Sequence, residues 1–143
     1  MPLEGADLER AIQLGVEKNA RLTDEQRDTN KAKFTALMTD KDKLANVMEE
    51  SKGRFEAADT DGDGRLNEAE WQAYAEKETS HAADQGWQVA PWDETAIAAS
   101  LEAYGLLNKI TDDTEGISWD DLLWNMQNVG AKAHAKSMGL EEK

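Results

Sequence analysis

Twelve residues, 59–70, restrict this chain more than any other stretch. They read D-T-D-G-D-G-R-L-N-E-A-E, and Asp59, Asp61, Asp63 and Glu70 bring four carboxylates into that span. Like charges at this density repel one another, which disfavours a bare solvated turn and favours a bound cation. The remaining composition gives compactness little help. Leu, Ile, Val and Phe supply 23 of 143 residues and the formal net charge is −14, a pairing in which chains often stay unfolded. Five Trp and five Met offset part of the shortage. Something beyond the apolar core is therefore expected to help this chain fold.

The acid is concentrated with the loop. Residues 1–58 carry a net −2 and residues 59–143 a net −12. Such a surface repels phosphate backbones and anionic lipid, so nucleic-acid binding and adhesion to anionic membranes are poor expectations. The chain has no cysteine, which excludes disulfide scaffolds, thiolate zinc sites and cysteine nucleophiles. No apolar run reaches spanning length, and the start, M-P-L-E-G-A-D-L-E-R, lacks the basic-then-apolar pattern of a signal peptide. The expectation is a cytoplasmic monomer of one domain, or two very small ones, without a membrane span.

The backbone reads as all-α, because Val and Ile are scarce and proline occurs only at Pro2 and Pro91. Leu8, Ala11, Ile12, Gly15 and Val16 recur at helical spacing, which predicts a helix over about 5–20. Thr23 with Gln26 forms a capping-box pattern for a second helix bearing Phe34, Leu37 and Met38. Thr39 with Asp42 is read as opening a third, along which Leu44, Val47, Met48, Ser51, Phe55 and Ala58 make one stripe. Asn67 with Glu70 caps a helix carrying Trp71 and Tyr74, followed by a turn-rich stretch from His81 to Pro91. Pro91 is read as the first turn of a helix bearing Ile97, Leu101, Tyr104 and Leu107. Ser118 with Asp121 caps a last helix with Leu122, Met126, Val129 and Ala133 on one side.

Calcium is a hard cation that takes six to eight oxygens, and a twelve-residue loop supplies them by alternation. Asp59, Asp61 and Asp63 offer side chains, Arg65 its carbonyl, and Asn67 its side chain directly or through water. Glu70, in the first turn of the next helix, clamps with both oxygens. Gly64 permits the sharp reversal at the sixth place, and Leu66 points away toward the core. This pattern, D-x-D-x-D-G-x-L-x-x-x-E, resembles the EF-hand family of calmodulin-like and sarcoplasmic calcium-binding proteins at every ligand position. The resemblance covers 43–136 and implies paired helix–loop–helix units there. Residues 1–42 match no known family and are expected to form helices that cover the remaining apolar surface, and the charged tail over 137–143 is expected to fray. It also implies Ca2+ as the bound ion, with Mg2+ a possible competitor.

A second loop, I-T-D-D-T-E-G-I-S-W-D-D over 110–121, is degenerate. Ile117 takes the place of Leu66 and Asp121 that of Glu70. Counting back from Gly116 puts Thr111, Asp113 and Glu115 at the first, third and fifth places, leaving the loop one residue short. Two readings stay open, a weak calcium site and a non-binding partner that pairs Ile117 beside Leu66. A third candidate around Asp40, Asp42 and Glu49 fails, because nine residues between Glu49 and Asp59 are too few for two helices.

The histidines, His81 and His134, are read as surface residues, and the Trp side chains as core or as the lining of a groove. No nucleophile-and-base pair or phosphate-cradling loop appears, so an enzyme is not expected. The expected function is a calcium buffer or calcium-stabilised protein. The alternative is a calcium sensor that exposes a Trp-rich groove to a target protein helix. A photoprotein-like binder of a small ligand is a third class.

Overall fold

The computed structural model describes residues 3–110 and 116–137 of the chain. The fold is all-α, with one two-stranded ribbon. The expected tail beyond Ser137 lies outside the described residues.

Helix α1 spans Gly5–Ala20 and buries Ala11 and Leu14. Helix α2, Asp24–Met38, opens with the capping box read in the sequence. Thr23 Oγ1 accepts the Gln26 N–H at 3.1 Å, and Gln26 Oε1 accepts the Thr23 N–H at 2.9 Å. Helix α3, Lys41–Ala58, is capped by Asp40 rather than Thr39. Thr39 is still the closing residue of α2, where its hydroxyl donates to the Thr35 carbonyl at 3.0 Å. Asp40 is then the first residue whose oxygen can reach an orphan donor, the Lys43 N–H at 3.0 Å.

Helix α4, Glu68–Asp84, runs through His81, where the sequence reading placed a turn. Ala82 and Ala83 favour helix, and the first left-handed residue is Gly86 at φ +90°. Helix α5, Glu94–Leu107, starts later than Pro91 because Asp93 supplies the cap, accepting the Ala96 N–H at 3.1 Å. A 3₁₀ turn, Asn108–Ile110, follows. Helix α6, Trp119–Asn125, continues through a π turn, Met126–Gly130, into α7, Ala131–Ser137. Periodicity alone had read these three as one unbroken helix.

Strands β1, Arg65–Leu66, and β2, Ile117–Ser118, pair antiparallel, with Leu66 opposite Ile117 and Arg65 opposite Ser118. Both apolar residues are fully buried, at 0 % exposure. Around them lie Phe55 of α3, Trp71 and Tyr74 of α4, Leu107 of α5 and Leu122 of α6. The Phe55 ring meets Tyr74 and Trp119 edge-on, with centroids 6.0 and 5.6 Å apart. The indole N–H of Trp71 donates to the Ser100 carbonyl at 3.0 Å, so its polar edge is paired. Two helix–loop–helix units, α3–α4 and α5–α6, thus meet through the ribbon and share one core.

A second core joins Leu3, Ala11 and Leu14 to Leu106 and Val129, so α1 packs on α5 and on the segment leading into α7. The approach is close at Gly15, where a Cβ would stand 2.6 Å from the Cβ of Ala133. Of the stripe on α3, only Ser51 and Phe55 are buried, and Val47 is exposed. Helix α2 covers the outer half of that stripe incompletely. Among the described residues no helix is long and apolar enough to cross a membrane.

Candidate metal centre

The 59–70 loop links α3 to α4. Asp59 closes α3, its N–H donating to the Phe55 carbonyl at 3.1 Å. The chain then turns through Gly62 and Gly64, at φ +71° and +82°. An L side chain resists these values, whereas glycine adopts them freely. The turn lets the Gly64 N–H donate to Asp59 Oδ2 at 2.7 Å. Two further backbone donors orient the acids: the Asp63 N–H to Asp61 Oδ1 at 3.3 Å, and the Arg65 N–H to Asp63 Oδ1 at 2.9 Å.

As a result one oxygen from each of Asp59, Asp61 and Asp63 lies within 4.8 Å of the others. Asp61 and Asp63 are exposed and Asp59 is half-buried. A hydrogen bond shared with Asp59 holds the Asp61 carboxyl above its ordinary value, outweighing the Asp63 N–H that favours the charged form. Facing carboxylates relieve their repulsion by retaining a proton when no cation is supplied.

The other oxygen of Asp59 is unusual. Oδ1 is buried and has no hydrogen-bond partner among the described residues. A buried carboxylate oxygen without a partner carries a desolvation cost that the Gly64 N–H on the sister oxygen offsets only in part. A hard cation bound by Asp59, Asp61 and Asp63 removes that cost, so the donor set fits an oxygen-seeking ion such as Ca2+ or Mg2+.

Glu70 stands apart from the three-oxygen cluster. Its Oε1 accepts the Asn67 N–H at 2.9 Å, completing a capping box in which Asn67 Oδ1 accepts the Glu70 N–H at 2.9 Å. Its Oε2 accepts both the N–H and the hydroxyl of Thr60, at 2.8 and 2.9 Å. Burial pushes this carboxyl up, but the donors from Asn67 and Thr60 outweigh it and hold it below its ordinary value. The two ends of the loop are therefore tied by Glu70 and Thr60. Sequence reasoning missed Thr60, which carries no signal beyond its place beside Asp59.

Arg65 contributes in two directions. Its backbone pairs with Ser118, while its guanidinium donates to the Gly116 carbonyl at 3.1 Å and stands 3.6 Å from Asp121 Oδ2. Asp121 Oδ2 also accepts the Ser118 N–H at 3.0 Å, the cap of α6. A side chain of the first loop is thus built into the second. Asn108 Oδ1 accepts the Gly116 N–H at 2.8 Å and fixes the way into β2. The sequence-based places Thr111, Asp113 and Glu115 lie outside the described residues.

No family model, curated protein or solved structure matches the chain.

Proposed function

We propose that this is a calcium-binding protein of EF-hand type, in which the 59–70 loop holds the ion and the 110–121 loop supports it. The observation that carries the reading is the partnerless, buried Oδ1 of Asp59 beside the carboxylates of Asp61 and Asp63. Asp59, Asp61 and Asp63 would be the side-chain ligands, with the Arg65 carbonyl, Asn67 and Glu70 completing the set. Glu70 would exchange its hydrogen bonds to Thr60 and Asn67 for the ion. The ion supplies two positive charges where the chain places acid, so binding free energy becomes folding free energy.

The role that fits best is a buffer or a protein stabilised by its ion, not an enzyme. Helix α1 already packs on α5 and toward α7 through Leu14, Leu106 and Val129, occupying apolar surface that a sensor would present to a partner. One observation favours the sensor reading: Met38 and Val47, on the adjacent helices α2 and α3, are 51 % and 36 % exposed.

Calorimetric titration with calcium tests the proposal. The full chain should bind the ion, and Glu70→Gln should weaken binding by about 10-fold or more, because ligand charge count tunes the affinity of such loops over several decades. Wild-type affinity in Glu70→Gln would refute the ligand set, and no uptake by the parent would refute the function. A hydrophobic dye separates the two roles, since a buffer loses dye on binding calcium and a sensor gains it.

A further inference from the structure

We infer that the cleft between α1, α2, residues 85–90 and α7 is a binding site for a small aromatic monocarboxylate. The cleft has a volume of about 210 Å³, and Lys18, Leu22, Asn30, Trp87, Gln88 and His134 belong to its wall. It lies away from the 59–70 loop, and the inference does not depend on calcium binding.

The wall is preformed. Asn30 is buried, its Nδ2 donating to the Gln88 carbonyl at 2.9 Å and its Oδ1 accepting the Gln88 N–H at 2.8 Å. This reciprocal pair fixes the segment that carries Trp87. On the opposite side the His134 ring lies against Phe34, with centroids 4.0 Å apart. His134 Nε2 is buried without a hydrogen-bond partner among the described residues. Such an atom calls for an explanation, and a ligand that reaches it through a small movement of the ring is one. Burial also pushes the imidazole pKa down, which keeps the ring neutral near pH 7.

The charge of the wall sets the ligand class. The chain carries 30 acidic residues, yet among the described residues no carboxylate lines this cleft. It is lined instead by the Lys18 amine, whose pKa burial pushes below its ordinary value, with a neutral imidazole, amides and apolar surface. Lys18 makes no ion pair among the described residues. A carboxylate therefore meets Lys18 and the imidazole without a competing anion in the wall. The Lys33 ammonium stands 5.5 Å from the centroid of the Trp87 ring, and the other face of that indole suits an aromatic body. The volume falls below the ~300–1,000 Å³ of sites for drug-sized molecules, so the ligand is smaller, and a single negative charge limits repulsion from the chain's net −14.

The chain has two histidines, so imidazole NMR resolves the question in the full-length protein with phenylacetate as probe. Phenylacetate should shift the His134 resonance saturably and leave His81 unmoved. Phenylacetamide should bind about tenfold more weakly, as loss of a charge-assisted hydrogen bond implies, and phenethylamine more weakly still. Lys18→Gln, which keeps the length and polarity of the side chain, should weaken phenylacetate by a similar factor, and Trp87→Ala should do so further. No saturable shift up to the solubility of the probe would overturn the inference. So would equal binding of acid, amide and amine, or unchanged affinity in Lys18→Gln, which keeps the test decisive should Trp87→Ala fail to fold.

Discussion

Replacing Asp59 by Asn gives opposite outcomes with and without calcium. Only an oxygen can accept the Gly64 N–H, so the Asn carbonyl must take the place of Oδ2 and keep that 2.7 Å bond. The amide NH₂ then occupies the position of the partnerless Oδ1. Without calcium the variant should be at least as stable as the parent, because one charge and one unpaired buried acceptor have gone. With calcium the order reverses. At a concentration 100 times the parent's Kd, binding adds about 2.7 kcal/mol to the parent. A loss of about 100-fold in affinity, from a missing ligand and a missing charge, leaves the variant only about 0.4 kcal/mol. The difference of about 2.3 kcal/mol corresponds to roughly 5–9 °C in Tm for a chain of this size. Thermal unfolding in chelator and in calcium measures both arms. Equal calcium-induced shifts in parent and variant would refute the assignment of Asp59, and a variant much less stable in chelator would refute the account of Oδ1.

Three other outcomes follow from the packing. Leu66→Ala empties a fully buried position opposite Ile117 and should cost about 2–5 kcal/mol in urea unfolding; a loss below about 1 kcal/mol would mean the ribbon is not the centre of the core. Gly15→Ala should destabilise by about 1 kcal/mol or more despite better helix propensity, because the new Cβ meets Ala133 at 2.6 Å; a stabilised variant would show that α1 and α7 can separate freely. Burial pushes the Tyr74 hydroxyl up to about 12, so its stabilising effect is complete below the ordinary value near 10 and is lost as pH rises through about 12. Ultraviolet titration of the phenolate should therefore show one tyrosine ionising about two pH units late, and ionisation of Tyr74 near 10 would contradict its burial.

The parts of the fold legible in the sequence are those set by short-range chemistry. Thr23 with Gln26, Asn67 with Glu70 and Ser118 with Asp121 each satisfy orphan helix donors over three residues, and each is a reciprocal cap in the structure. The pairing of Leu66 with Ile117 was also readable, from their matching places after glycines. Long-range packing was not. The stripe on α3 predicts burial of Val47, but nothing local says that α2 leaves it open. A π turn at 126–130 keeps the helical pattern of Val129 and Ala133 while changing what they face. At the loop, the alternating acids of the sequence already brought Asp59, Asp61 and Asp63 together, whereas the Thr60 tether and the reach of Arg65 depend on side-chain directions. His134 looked like a surface residue in an Ala-rich stretch, and only its contact with Phe34 reveals the cleft.

Gly116 sits where the two loops touch, at φ +105°, with room for no Cβ: one would stand 3.0 Å from Arg65 Cβ and 3.1 Å from the Leu66 carbonyl oxygen. The seam therefore has no slack, and the guanidinium of Arg65 rivets it from the first loop into the second. A chain that altered either side would have to alter both, so the entry to β2 is held to its shape by the neighbouring loop.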